Sequence, residues 1–161
     1  MGDALQLEKL DTTFCDEVEA TPGGEHIRSC FACGTCAAGC PVTAVAEEYN
    51  CRTIIQQIRL GLRAEVLGSP ALWLCQMCYR CYARCPQQVN FTDIMRALRY
   101  LAVKHGFASA ATAAQSNELE TVFQDLRKSI IREMTAGKST LLKSVQTLVT
   151  PGQKNRDKKH A

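Results

Sequence analysis

The sequence predicts an all-α fold, and two observations support this prediction. Apolar residues recur at spacings of three and four along most of the chain, which is the periodicity of one buried helix face. No stretch shows the alternation of apolar and polar residues that a half-buried strand requires. The 161 residues suffice for one compact domain with extensions.

Three helical stretches are predicted in the first two thirds of the chain. Asp11 is expected to cap a short helix that ends at the turn sequence TPGG, 21–24. The second stretch spans 54–66, with a break at Gly61, and the third begins after Asn90 and ends before Gly106. The apolar faces comprise Phe14 and Val18; Ile54, Ile55, Ile58, Leu62 and Val66; and Phe91, Ile94, Met95, Leu98, Leu101 and Ala102.

The last third of the chain contains two further amphipathic stripes. Residues 108–116 are rich in small side chains and predict a linker or a weak helix, while the stripes span 119–134, closed by Gly137, and 141–149, which stops at Pro151. The predicted organisation is a helical domain at 1–106, a helical extension at 107–151 and a disordered basic tail at 152–161. The extension is expected to pack either on a partner subunit or on the core of its own chain.

Eight of the ten cysteines lie in two copies of the pattern C-x₂-C-x₂-C-x₃-C-P, at 30–41 and 75–86. This spacing is typical of bacterial two-cluster ferredoxins, because each iron corner of a cubane [4Fe–4S] cluster requires one thiolate. The N-terminal residues are acidic and do not resemble a signal peptide, and no apolar run reaches the length of a membrane span. A cytoplasmic location is therefore expected, where clustered cysteines bind metal more often than they form disulfides.

The proline after the fourth cysteine of each motif predicts that the ligand sets cross over. Proline disfavours helical geometry for the residue before it, so Cys40 and Cys85 are expected to be extended and to leave their own loops. One cluster is then held by Cys30, Cys33, Cys36 and Cys85, and the other by Cys75, Cys78, Cys81 and Cys40. The two predicted clusters would be adjacent one-electron centres, and such a pair indicates a function in electron transfer.

Two other functions compete with electron transfer at this point. A zinc site would use two cysteines of each motif, and would leave the third cysteine and the Cys-Pro pair unexplained. A nucleic-acid binder would use the basic residues of 50–105, which hold eight Arg or Lys against two acids. Those bases are better explained as compensating the roughly −2 charge of each oxidised cluster with its thiolates. No nucleic-acid partner is expected.

Several residues near the motifs are expected to have lesser roles. Arg80 and Arg84 are expected to be solvated arginines, or to raise a cluster potential or meet an acidic partner. Cys15 and Cys51 are expected to be buried non-ligands, and His105 a helix-terminus residue. An apolar shell around the clusters is predicted from Trp73, Tyr79, Tyr82 and Phe31. No catalytic residues are predicted, since no complete active site is recognisable.

The segments CFACGTCAAGCP, CRTIIQQIRLGL and ALWLCQMCYRCYARCPQQVNFTDIMRALR resemble the C subunit of heterodisulfide reductase, over roughly 11–105. The resemblance implies an α-helical ferredoxin fold and the same eight cluster ligands. One departure is Cys51, where relatives often have proline.

The same resemblance implies a relay in a soluble oxidoreductase complex with two other subunits. Electrons would pass from a flavin- and cluster-containing A-type subunit to a cysteine-rich catalytic B-type subunit. The B-type subunit reduces the coenzyme M–coenzyme B heterodisulfide in methane-producing organisms. Related proteins serve sulfur-oxidising and quinone-linked complexes, which remain alternative settings for the same relay.

Overall fold

The computed structural model describes residues 10–153, and within them it contains helices and no strands. This confirms the all-α prediction. The helices are α1 (Phe14–Ala20), a 3₁₀ turn (Ile27–Ser29), α2 (Thr35–Ala38), α3 (Cys51–Arg59), α4 (Arg63–Leu67), α5 (Ala71–Leu74), α6 (Arg80–Arg84), α7 (Phe91–Lys104), α8 (Ala110–Thr135) and α9 (Thr140–Gln153). No helix within 10–153 has both the length and the apolarity needed to cross a membrane.

Helix α7 is the central element of the N-terminal part of the fold. Its apolar face, predicted from the sequence, is buried, and α1, α4, α5 and α6 all contact this helix. Five of its side chains are fully inaccessible to solvent: Ile94, Met95, Leu98, Leu101 and Ala102. Phe14 and Val18 of α1 and Ile55 and Ile58 of α3 belong to the same core. Because the short helices α2 and α6 contact each other, the two cysteine motifs lie side by side.

Glycines end three of the helical segments where the sequence predicted an end. Gly106 and Gly137 adopt positive φ angles of 75° and 74°, and the amides after them return to the carbonyls of Ala102 and Glu133. Both ends are Schellman motifs. Gly61 has a φ of 78°, and a Cβ atom there would lie 2.3 Å from the Asp11 carbonyl oxygen, so only glycine allows this close approach.

One predicted helix start was wrong, and the alternative left open for 108–116 is decided. Thr13, not Asp11, precedes α1; the Asp11 carboxylate instead accepts hydrogen bonds from the Thr13 amide and hydroxyl. Asn90 precedes α7 but makes no capping bond with its side chain. The small-residue stretch 108–116 falls largely within α8, so it is helix and not a linker.

An ion-pair network joins α1, α4 and α7. The Arg63 guanidinium donates to Asp11 at 2.6 Å and also to Glu17, which in turn pairs with Lys104 and His105. His105 directly follows the last residue of α7, so it is a helix-terminus residue, as predicted. The hydrogen bonds from Thr13 and Arg63 lower the pKa of Asp11 to about 2. Burial opposes ionisation of Glu17, but its bonds to Arg63, His105 and Lys104 nevertheless lower its pKa to about 2.

The described chain divides within α8, between Ala114 and Gln115, into two compact units. None of the residues of α8 is buried, and Leu119, Val122 and Phe123 each keep more than half of their surface exposed. Helix α9 continues through Pro151 to Gln153, two residues beyond the predicted stop. The rest of the predicted disordered tail lies outside the described residues. The division at 106 and 151 stays a prediction.

Candidate metal centre

The two cysteine motifs adopt the same backbone path, 45 residues apart. Each loop starts from an extended cysteine, Cys30 or Cys75. The residues two and four positions later have positive φ in both loops, and a short helix follows. These positions are Ala32 and Gly34 in the first loop and Met77 and Tyr79 in the second. The repeat in the sequence is therefore also a repeat in three dimensions.

The second loop adopts this path with more strain than the first. Tyr79 has a φ of 58°, whereas its counterpart Gly34 has no side chain to clash in that region. A left-handed conformation costs a residue with a Cβ atom about 1–2 kcal/mol.

The first cavity is lined by Cys30, Cys33, Cys36 and Cys85. Three of these cysteines come from the first motif and one from the second. The wall is completed by the apolar side chains of Ile55, Val89 and Phe91. Cys81 also reaches this wall.

The second cavity is lined by Cys40, Cys75, Cys78 and Cys81. Since Cys81 lines both cavities, they are direct neighbours. Cys85, which precedes a proline, has the extended conformation expected for it, with φ −77° and ψ 114°. The two motifs approach closely at their ends, because a Cβ atom on Gly39 would overlap the Arg84 guanidinium. The assignment of each cysteine to a cluster stays a prediction.

The donor set fits polynuclear clusters better than single ions. Thiolates spread around the wall of a cavity suit the corners of a cubane, each of which binds one sulfur ligand. The arrangement therefore favours iron–sulfur clusters over zinc.

An arginine from a following helix holds the first cysteine of each motif. The Arg59 guanidinium donates to the Cys30 carbonyl at 2.8 Å. The Arg99 guanidinium donates to the carbonyls of Cys75 at 2.9 Å and Leu72 at 2.8 Å, and it lies over the Trp73 ring. Both arginines fix the start of a loop and place positive charge beside thiolates. The basic composition of 50–105 predicted positive charge near the clusters, but it did not identify the carbonyls of Cys30 and Cys75 as hydrogen-bond acceptors of Arg59 and Arg99.

Four sulfur atoms of the predicted ligands have hydrogen-bonding partners. The backbone amide of Ala32 donates to Cys30 Sγ, and that of Val89 donates to Cys85 Sγ, both at 3.4 Å. Two threonine hydroxyls contact the others: Thr35 Oγ1 lies 3.3 Å from Cys33 Sγ, and Thr92 Oγ1 lies 3.2 Å from Cys81 Sγ. Such bonds favour the thiolate state that a metal ligand requires.

Tyr49 is a buried component of the second cavity that sequence reasoning missed. Its side chain is 1% exposed, lines the cavity and is hydrogen-bonded to the Cys75 side chain. Burial, together with the neighbouring Cys75, raises the pKa of this tyrosine above its usual value. The hydroxyl is therefore protonated and can donate. No motif distinguished Tyr49, since it lies between the two cysteine runs.

Cys51 is buried as predicted, yet it lies at the site. It lines the second cavity and is hydrogen-bonded to Cys36, a bond that lowers the pKa of the Cys36 thiol to about 6. The same bond, with burial, raises the pKa of Cys51. Cys15 is a core residue of α1, and burial raises the pKa of its thiol.

The predicted aromatic shell was largely wrong. Phe31 lines the first cavity but is 59% exposed, while Tyr79 and Tyr82 are 39% and 42% exposed and stack edge to face. Trp73 packs partly buried against the core. Other almost completely buried side chains form the shell instead: Ile55, Val89 and Phe91 in the first cavity, and Val42 and Tyr49 in the second. Both motif arginines are exposed; Arg80 lines the second cavity and Arg84 lies over Gly39.

Comparison with known proteins identifies the cofactor class. Residues 26–89 match the family model described as a 4Fe-4S dicluster domain. Two [4Fe–4S] clusters are therefore the cofactors of this domain, as the cysteine spacing predicted.

Three relatives are named as C subunits of heterodisulfide reductases. The chain is 38% identical over 110 residues to the C subunit of the H(2):CoB-CoM heterodisulfide,ferredoxin reductase of Methanothermobacter thermautotrophicus, and the match covers 68% of this chain and 58% of that protein. It is 41% identical over 85 residues to the iron-sulfur C subunit of the CoB–CoM heterodisulfide reductase of Methanopyrus kandleri (53% and 44%). It is 45% identical over 84 residues to the C subunit of the ferredoxin:CoB-CoM heterodisulfide reductase of Methanosarcina mazei (52% and 51%). The matched segments span about half the length of these curated relatives. The chain thus contains a 4Fe-4S dicluster domain and is a homologue of the C subunit of heterodisulfide reductase.

Proposed function

We propose that this chain is the electron-relay subunit of a heterodisulfide reductase-type complex. Electrons would enter at one cluster, pass to the other and leave to a partner subunit. The observation that carries the proposal is the adjacency of the two cavities, which share Cys81 in their walls. Two neighbouring one-electron centres form a conducting pair, whereas a purely structural role needs only one.

The residues of this chain would hold, shield and tune the two clusters. A bound [4Fe–4S] cluster gains and loses one electron at a time. The cysteines supply the thiolates, with Cys30, Cys33, Cys36 and Cys85 proposed for the first cavity, and Cys40, Cys75, Cys78 and Cys81 for the second. The buried side chains of Ile55 and Val42 exclude water from one wall of each cavity. Arg59 and Arg99 keep the loops in place through the carbonyls of their first cysteines.

One proposed ligand of each cluster is exposed at the surface, as electron transfer to other proteins requires. Cys33 and Cys78, the second cysteine of each motif, are exposed, each beside a different cavity. Each proposed cluster therefore has an exposed ligand, through which a docked partner would approach it. This supports one docking position for a flavin- and cluster-containing A-type subunit and another for a cysteine-rich B-type catalytic subunit.

The substrate of the whole complex follows from the relatives alone. Their names specify the heterodisulfide of coenzymes M and B, and we infer the same substrate for the complex that contains this chain. A sulfur-oxidising or quinone-linked complex would use the same relay. A cytoplasmic location stays a prediction.

A redox titration of the reconstituted chain tests the relay itself. We expect about eight irons per chain and two one-electron reductions. We also expect the fully reduced protein to show magnetic coupling between the clusters in its EPR spectrum, because the cavities adjoin. A colourless zinc protein, or clusters that accept no electrons from dithionite, would refute the relay.

Isolation of the native assembly through a tag on this chain tests the complex. Co-purification of a flavoprotein and a cysteine-rich subunit, with electron transfer between them that depends on this chain, is the expected result. Association with a quinone-reducing or sulfur-oxidising enzyme would instead retain the relay and change its substrate.

A further inference from the structure

We propose that two buried hydroxyl groups, those of Thr92 and Tyr49, raise the reduction potential of the cluster in the second cavity. Both side chains line this cavity, and each contacts the sulfur of a different cysteine of the second motif. They are positioning residues, since they act through Cys81 and Cys75. This inference rests on the cluster cofactors and not on the identity of the complex.

The Thr92 contact is the better defined of the two. Its Oγ1 atom lies 3.2 Å from Cys81 Sγ, and the two residues are only 1% and 8% exposed. A cysteine that ligates iron is a thiolate and has no proton to donate, so the hydroxyl must be the donor. Thr92 lies in the first turn of α7 and Tyr49 in the loop before α3, so segments distant in sequence supply the two donors.

The two ligands concerned belong to one cluster whether or not the ligand sets cross. Cys75 and Cys81 are the first and third cysteines of the same motif and line the same cavity. The first cavity has no matching pair of buried hydroxyls among its described lining residues. Its threonine, Thr35, is exposed beside the exposed Cys33.

The sign follows from the charge that the cluster gains on reduction. A hydrogen bond to a ligand sulfur stabilises the more negative, reduced state more than the oxidised state, and therefore raises the potential. In a buried site this effect is screened only weakly by solvent. Removing one hydroxyl should lower the equilibrium constant for reduction about tenfold, which is about 59 mV for a one-electron couple.

The test is a potentiometric titration of the reconstituted full-length chain, followed by EPR. Thr92→Val and Tyr49→Phe remove the hydroxyls while nearly preserving side-chain shape. Each should lower the same one of the two potentials, and together they should lower it further. Thr92→Ser keeps the hydroxyl and should retain the wild-type potential. The matched control, Thr35→Val, should leave that potential unchanged.

The possible results separate the inference from a failure of the cofactor assignment. Unchanged potentials in Thr92→Val and Tyr49→Phe, with about eight irons retained, would overturn the inference. Shifts of different potentials in the two variants would also overturn it. If Thr92→Val loses its second cluster, Tyr49→Phe and Thr92→Ser decide the question, since a role limited to shape predicts no shift in Tyr49→Phe.

Discussion

Replacement of Cys85 by alanine should remove the cluster of the first motif, although Cys85 belongs to the second motif in the sequence. In the structure its side chain lines the first cavity together with Cys30, Cys33 and Cys36. Four ligands are proposed for each cluster, so the loss of one leaves three thiolates for four iron corners. The iron content should fall from about eight to about four per chain.

Spectra of two reference variants identify which cluster has been lost. Cys30→Ala removes a ligand of the first cluster under either assignment, and Cys75→Ala removes a ligand of the second. After anaerobic reconstitution, the EPR spectrum of reduced Cys85→Ala should match that of Cys30→Ala. The spectrum of Cys40→Ala should match that of Cys75→Ala. Iron and sulfide analysis of each variant supplies the stoichiometry.

The opposite pairing of spectra would refute the crossed assignment. If Cys85→Ala matched Cys75→Ala, and Cys40→Ala matched Cys30→Ala, each motif would supply all four ligands of its own cluster. The extended conformation of Cys85 and the close approach of Gly39 to Arg84 would then have a purely structural origin.

Three further predictions concern residues outside the ligand set. Cys15→Ser and Cys51→Ser should each retain about eight irons, and loss of about half would show that a ligand has been misassigned. Glu17→Gln should lower the free energy of unfolding by about 2 kcal/mol at pH 7, because the folded pKa of Glu17 is about 2 against a usual 4.5. The stabilisation from this carboxylate is fully present above the unfolded pKa of 4.5 and is lost as pH falls through the folded pKa of about 2. The difference between variant and wild type in denaturant titrations should therefore shrink progressively below about pH 4.5 and vanish near pH 2. Truncation after Ala114 should leave both clusters and solubility intact while abolishing assembly with the partner subunits; aggregation or cluster loss in the isolated chain would show that the C-terminal helices pack on their own core.

The cofactor and the helical class of this protein could be predicted from local patterns in the sequence. Thiolate spacing is a local property, because three cysteines at intervals of three wrap one cubane whatever surrounds them. The glycines that end helices are equally local, since Gly106 and Gly137 supply a left-handed conformation that other residues resist. The apolar face of α7 was likewise evident from its periodicity.

The side chains that surround the two cavities could be identified only once the chain was folded. Thr92, Tyr49 and Arg99 lie outside both cysteine motifs, and their roles arise because folding brings residues distant in sequence to one cavity or one carbonyl. The same applies to Cys51, which was correctly expected to be buried but whose contact with Cys36 depends on the packing of α2 against α3. Local patterns define which atoms can ligate iron, whereas the charges and hydrogen bonds that tune the metal depend on contacts between separate helices.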